Sequence, residues 1–281
     1  MGKYLRVTQL DMEISTARSF GSLGGRSFAS ISDLFAIESL PIPSNTVSKL
    51  IIRFDMNRDV PFTLDEMLEV IVVYCSFDCP AVAKMASHEQ KEYFVQAIEN
   101  VFREFSPKYG WNMGLVLAAT ARMRECDLRF DRPWGKPVWQ RSRKQSAQLR
   151  MIFETRVSLF VEIFDKTSAF EKRLFIVELP ASVYLAAQAI GKLKWLSETE
   201  LQLMHKNNRD YWLINLESES VEFHFPRAES GDAHGQYALG CMYQDGDLVP
   251  EDRELAIHWL SKAAEQGYKQ AVQRLAKLEQ T

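Results

Sequence analysis

The chain has 281 residues, enough for one large domain or two ordinary ones. With 46% apolar and 25% charged residues it has the composition of a folded soluble protein, which excludes a disordered or fibrous class. A net charge of −3 excludes a global attraction to nucleic acid or anionic membrane, and no apolar run approaches a bilayer span.

The chain in order begins with a strand-like stretch, Tyr4 to Thr16, and a Gly/Ser-rich loop, Ser19 to Ser30, that lacks the Lys-Ser/Thr pair of a phosphate loop. Lys49 to Asp55 reads as a strand with Leu50, Ile52 and Phe54 on one face. Thr63 with Glu66 has the spacing of a capping box and predicts a helix with an inward stripe of Leu64, Met67, Leu68, Ile71 and Val72. Ser87 with Gln90 predicts a second helix, in which Phe94, Ala97, Ile98, Val101, Phe102 and Phe105 recur at threes and fours until Pro107 and Gly110 close it.

Leu115, Leu117 and Ala119 alternate as in a strand. Leu149, Met151, Phe153, Thr155, Val157, Leu159, Val161 and Ile163 share one parity and predict a long half-solvated strand, with Arg173 to Leu179 returning as its antiparallel partner. Pro180 opens an Ala-rich helical piece, Ala181 to Leu193, and Ser197 with Glu200 predicts another helix over Leu201, Leu203 and Met204. Tyr211 to Leu216 and Val221 to Phe225 are short strands. Strands in runs, not in alternation with helices, predict an α+β body with a mixed, mainly antiparallel sheet over residues 1–226 and a helical segment over 227–281.

The last segment contains a repeat. Ala228-Glu229-Ser230-Gly231 recurs 36 residues later as Ala264-Glu265-Gln266-Gly267, a period in the range of helical arrays. Small residues (Ala233, Gly235, Ala238, Gly240) allow two helices to approach closely, and Tyr237, Leu239 and Tyr243 fill the seam. Asp245-Gly246-Asp247 is a turn, Pro250-Glu251-Asp252 suits a helix start, and Ala256, Trp259, Leu260 and Ala263 face inward. This series resembles a Sel1-like repeat, a helix-turn-helix relative of the tetratricopeptide repeat, with one full repeat and the first helix of a second. Its repeat core comprises Tyr237, Leu239, Gly240, Tyr243, Gly246, Ala256, Trp259, Ala263 and Gly267. Two residues depart from the pattern: Gly235 stands where the family usually has Ala, and Leu248 where it usually has a second turn glycine. What the resemblance implies is a protein-binding role, as an adaptor or inhibitor. A motif-poor body joined to such a repeat also resembles bacterial immunity proteins, which implies direct neutralisation of a cognate toxin or effector.

A second candidate surface is basic. Between residues 121 and 156, ten Arg and Lys stand against four acids, a net +6 in a chain of −3, so the remainder carries −9. Trp134 and Trp139 are interleaved with this charge, and with Arg141, Arg143 and Lys144 they form a candidate partner-binding stretch. The same pattern suits single-stranded nucleic acid, although a protein partner is favoured. No catalytic motif is present, and the five histidines show no metal-ligand spacing, so no cofactor and no metal are expected. Cys75 and Cys79 lie four apart, as on one helix face, and Cys126 and Cys241 are isolated. All four read as reduced thiols, which, with an N-terminus lacking a signal-peptide core, predicts a cytoplasmic protein. An enzyme or nucleic-acid binder with its site in the N-terminal body, and a structural subunit of a larger assembly, are the alternatives.

Overall fold

The computed structural model describes residues 4–12, 31–32, 34–39, 42–44, 46–55, 62–67, 69–76, 78–153, 156–179 and 183–278. The fold is mixed α+β and divides into two compact units, Met1–Phe130 with Phe153–Thr155, and Asp131–Ile152 with Arg156–Thr281. The predicted loop at Ser19 to Ser30 lies outside the described residues.

The first unit holds a five-stranded sheet of β1 (Tyr4–Met12), β2 (Ile42–Pro43), β3 (Lys49–Asp55), β4 (Phe62–Met67) and β5 (Val70–Ser76), in the order β2-β1-β3-β5-β4. β3 runs parallel to β1 and β5, and β4 is antiparallel to β5. As expected, Leu50, Ile52 and Phe54 are buried on one face of β3. Three helices follow: α1 (Cys79–Ala83), α2 (Ser87–Tyr109) and α3 (Met113–Glu125). The apolar stripe of α2 covers the sheet, and Phe94 meets Phe54 edge-on at 5.3 Å between ring centres. Gly110 ends α2 in the left-handed conformation, φ +66°. Its start is Ala86, whose N–H donates to the Glu89 carboxylate at 2.9 Å, so Ser87 lies inside the helix rather than capping it.

Two expectations in this unit are overturned. Residues 63–72 form the β4–β5 hairpin, not a helix, with Leu64 opposite Val73 and Glu66 opposite Ile71. Ile71, Val72 and Val73 are all buried. A strand covered on both faces is continuously apolar, so it satisfies a helical stripe by default, and the β-branched run decides for extended backbone. Glu66 caps nothing; its carboxylate accepts hydrogen bonds from Lys108 and Tyr109. Cys75 therefore sits on a strand and Cys79 at a helix start, not on one helix face, and burial pushes the Cys75 thiol up to about 12. Conversely, Leu115 to Ala119 is helical. Asn112 accepts from the Gly114 N–H at 2.9 Å, and the buried stripe is Val116, Ala119, Thr120 and Met123, at helical spacing. Leu117 points to solvent.

The second unit contains two four-stranded sheets. One has the order β6-β7-β8-β9, from β6 (Phe130–Trp139), β7 (Gln145–Phe153), β8 (Val157–Asp165) and β9 (Phe170–Leu179). The single long strand expected over 149–163 is two, β7 and β8, adjacent in this sheet; their common parity still places Leu149, Met151, Val157, Leu159, Val161 and Ile163 in the core. β8 and β9 form the expected antiparallel pair.

After α4 (Val183–Ala189), a meander of β10 (Ile190–Trp195), β11 (Glu200–His205), β12 (Tyr211–Asn215) and β13 (Ser220–His224) makes the other sheet. The expected helix over 181–193 thus stops at Ala189. Gly191 allows the switch, because a Cβ there would lie 2.6 Å from the Met204 carbonyl oxygen on β11. The expected helix after Ser197 is β11. The Ser197 hydroxyl accepts from the Thr199 and Glu200 N–H groups at 3.2 and 3.1 Å, a turn that uses the same residues as a capping box. Leu201 and Leu203 are then buried on alternate positions. Four helices close the chain: α5 (Pro226–Glu229), α6 (Ala233–Asp245), α7 (Arg253–Glu265) and α8 (Lys269–Leu278).

Candidate protein-interaction site

The 36-residue period corresponds to a recurring turn. Gly231 and Gly267 both adopt positive φ, +89° and +81°, a conformation open to glycine without steric cost. Asp232 starts α6 by accepting from the Gly235 N–H at 2.6 Å; that bond, with the nearby Arg227 guanidinium, holds its carboxyl below the usual range. Asp252 starts α7 in the same way through the Leu255 N–H at 2.9 Å, and Gly246 ends α6 in the left-handed conformation.

α6 and α7 approach so closely at Gly240 that a Cβ there would lie 2.7 Å from Leu260 Cγ. Leu260, Ala263, Ala271 and Leu278 form one buried cluster against Tyr237, Tyr268 and Leu275. Leu239 belongs to a second cluster with Phe225 and Ala228, on which Phe223, Tyr243 and Trp259 pack. Ala256 is fully buried. Polar ties hold the helices in register. The Arg274 guanidinium donates to both Asp245 carboxylate oxygens (2.6 and 2.7 Å) and to Gln244, which joins α8 to the end of α6. Gln266 donates to the Gly231 carbonyl and the Gln236 side chain at 2.9 and 2.7 Å.

The helices are braced by the sheets of their own unit. Trp212 on β12 donates its indole N–H to the Leu248 carbonyl at 3.2 Å, and Arg156 donates to the Gly246 carbonyl at 3.1 Å. Leu248 has φ +64°, so the chain adopts glycine-like geometry where the resembled pattern carries glycine. Gly235, the other departure, has a local reason. A Cβ there would lie 2.8 Å from the Arg227 carbonyl carbon and 2.9 Å from the Ala228 nitrogen, both backbone atoms of α5. Gly235→Ala is therefore expected to lower stability by about 1–2 kcal/mol, the overpacking cost exceeding alanine's advantage in helix propensity. A fall in the urea midpoint at constant m-value checks this; an unchanged or higher midpoint contradicts it.

Residues 233–268 match the family model of the Sel1 repeat. The Sel1 match starts on the first residue of α6 and ends at Tyr268, just before α8. A search of curated proteins and of solved structures found nothing similar to the chain. The Sel1 repeat suggests protein–protein interaction.

The basic aromatic stretch lies in the same unit, on the β6–β7 hairpin. Trp134 is half-buried in β6, whereas Trp139 ends the strand and is 40% exposed. Arg141, Arg143 and Lys144 are exposed in the connecting turn, and Arg143 has φ +58°. Trp139 and Arg141 line an open groove of about 650 Å³ with Val138, Lys194, Trp195 and Leu196; Trp134 does not reach it. Trp195 and Leu196 carried no signal in the sequence, because the Val138 carbonyl that the Trp195 indole meets lies 57 residues away and local pattern does not report such a contact. Among the described residues no group of three or more His, Cys, Asp or Glu is placed to hold a metal, and no helix is long and apolar enough to cross a membrane.

Proposed function

We propose that the chain is a non-enzymatic protein-binding protein whose Sel1 repeat presents part of the contact surface. The Sel1 match at residues 233–268 carries this reading. Supporting it, the braced helices expose apolar side chains to solvent: Leu255 and Ile257 on α7 are 38% and 36% exposed, and Val272 on α8 is 52% exposed. Rigid helices that display a few large apolar residues suit an interface, where a small number of contacts supplies most of the affinity. A bacterial toxin or effector is one partner of this kind.

The test is affinity capture from native extract with the full chain, compared with Leu255→Arg and Ile257→Arg. One stoichiometric protein, bound by the unaltered chain and lost from these variants while their helical circular dichroism is retained, is the expected result. Absence of any stoichiometric partner overturns the function, and equal capture by the variants removes the repeat from the contact.

A further inference from the structure

The groove beside Trp139 is built more firmly than an ordinary surface hollow. Trp195 donates its indole N–H to the Val138 carbonyl at 3.0 Å, which fixes the end of β10 against β6. Gln140, buried at the hairpin tip, donates to the Glu198 carbonyl at 2.8 Å, and Ser142 donates to the Glu198 carboxylate at 2.7 Å. The walls are thus held without a ligand, so little ordering is needed when one binds. The floor is apolar: Trp139 and Leu196 are 40% and 48% exposed.

The rim is cationic. Arg141 and Lys194 line the groove, Arg143 and Lys144 lie in the adjoining turn, and all four are exposed with no ion pair among the described residues. One carboxylate, Glu198, also lines the groove and is hydrogen-bonded to Ser142, while Glu171 nearby accepts from Gln145. Two cations in the groove and two in the turn beside it outnumber that one lining carboxylate. With two exposed apolar side chains they complement an anionic ligand that also carries a large apolar group.

We propose that this groove docks an acidic segment of a protein partner, with one large apolar side chain seated between Trp139, Trp195 and Leu196 and its flanking carboxylates on Arg141, Arg143, Lys144 and Lys194. The docking site rests on the protein-binding function above and adds a second, chemically distinct contact to it. Nucleic acid offers the same charge but presents stacked bases and phosphates, and it is separated by the test.

The test is fluorescence anisotropy of a labelled nine-residue peptide of Glu and Asp with a central Phe, titrated with the full chain. Binding at low salt is expected, with affinity falling as salt rises. It is expected to weaken at least tenfold when the peptide Phe is replaced by Ser, when Trp139→Ala is introduced, and when Arg141→Glu, Arg143→Glu and Lys144→Glu are combined. Trp134→Ala, outside the groove, is expected to bind the peptide as the unaltered chain does. No binding at low salt, equal binding of the Ser peptide, or tighter binding of an oligothymidylate of equal charge overturns the proposal. Groove variants that still capture the native partner, while Leu255→Arg and Ile257→Arg lose it, overturn the groove and leave the protein-binding function standing. Capture unaffected by either set removes both the groove and the repeat from the contact.

Discussion

Trp212→Ala is expected to cost about 3–5 kcal/mol, the range for truncating a large buried aromatic. Trp212 is only 1% exposed. Its ring packs 5.1 Å from Phe223 and its indole N–H is bonded to the Leu248 carbonyl, so it contributes both to the core of the meander and to the position of the repeat's inner turn. The loss is therefore expected to appear in two places. Global stability falls in urea denaturation, and amide exchange quickens in α6 and α7, which the side chain does not belong to. Trp212→Phe keeps much of the apolar contact and removes the hydrogen bond, leaving the Leu248 carbonyl to find water; about 1–2 kcal/mol is expected. A Trp212→Ala variant with unchanged exchange in residues 233–265 would show that the repeat keeps its place without this brace.

The second large effect is expected at Glu162. On the sheet of β6 to β9, charges alternate strand by strand: Asp131, Arg150, Glu162 and Arg173. Arg150 donates to Asp131 at 2.5 Å and lies 3.6 Å from Glu162, while Arg173 donates twice to Glu162 at 2.9 and 2.5 Å. Glu162 and Arg173 face each other in register, and the Arg173 guanidinium also lies over the Phe160 ring. The hydrogen bond to Asp131, and then the neighbouring Glu162 charge, hold the Arg150 guanidinium above its ordinary value.

Only Glu162, 3% exposed, is fully buried in this row. Glu162→Ala leaves two guanidinium groups facing each other without their shared anion. A loss of about 2–4 kcal/mol is expected, toward the lower end of the range for a broken buried pair because both arginines retain access to water. Replacing Glu162 and Arg173 together by Leu removes the stranded cation and is expected to recover a large part of that loss. A double-mutant cycle in denaturant measures the coupling directly; a single-substitution loss below about 0.5 kcal/mol would mean that the row is a surface feature only.

Much of the fold was legible from local pattern where pattern and burial coincide. Leu50, Ile52 and Phe54 alternate because one face of β3 is buried under helices, and the stripe of α2 recurs at threes and fours because one side of it meets that sheet. The basic hairpin was legible as charge, but Trp195 and Leu196, which complete its groove, were not, because strand β10 meets β6 only in the folded chain. Residues 197–204 and residues 63–72 misled for two different physical reasons. A Ser/Thr with Glu three residues later serves a helix start or a tight turn equally well, and a strand covered on both faces mimics a helical stripe.

By itself, the amino-acid sequence determined the Sel1 repeat: the small residues at its helix contact, the acids at its helix starts and the glycines at its turns all follow from backbone geometry within a few residues. Only the tertiary structure decided why Gly235 replaces the usual alanine and how Leu248 tolerates a glycine's conformation. The first answer is the backbone of α5 lying under Gly235, and the second is an inner turn held by the indole of a distant strand. The second joins residues 36 apart and the first crosses the turn between two helices, and such contacts are fixed by packing, which no local pattern encodes.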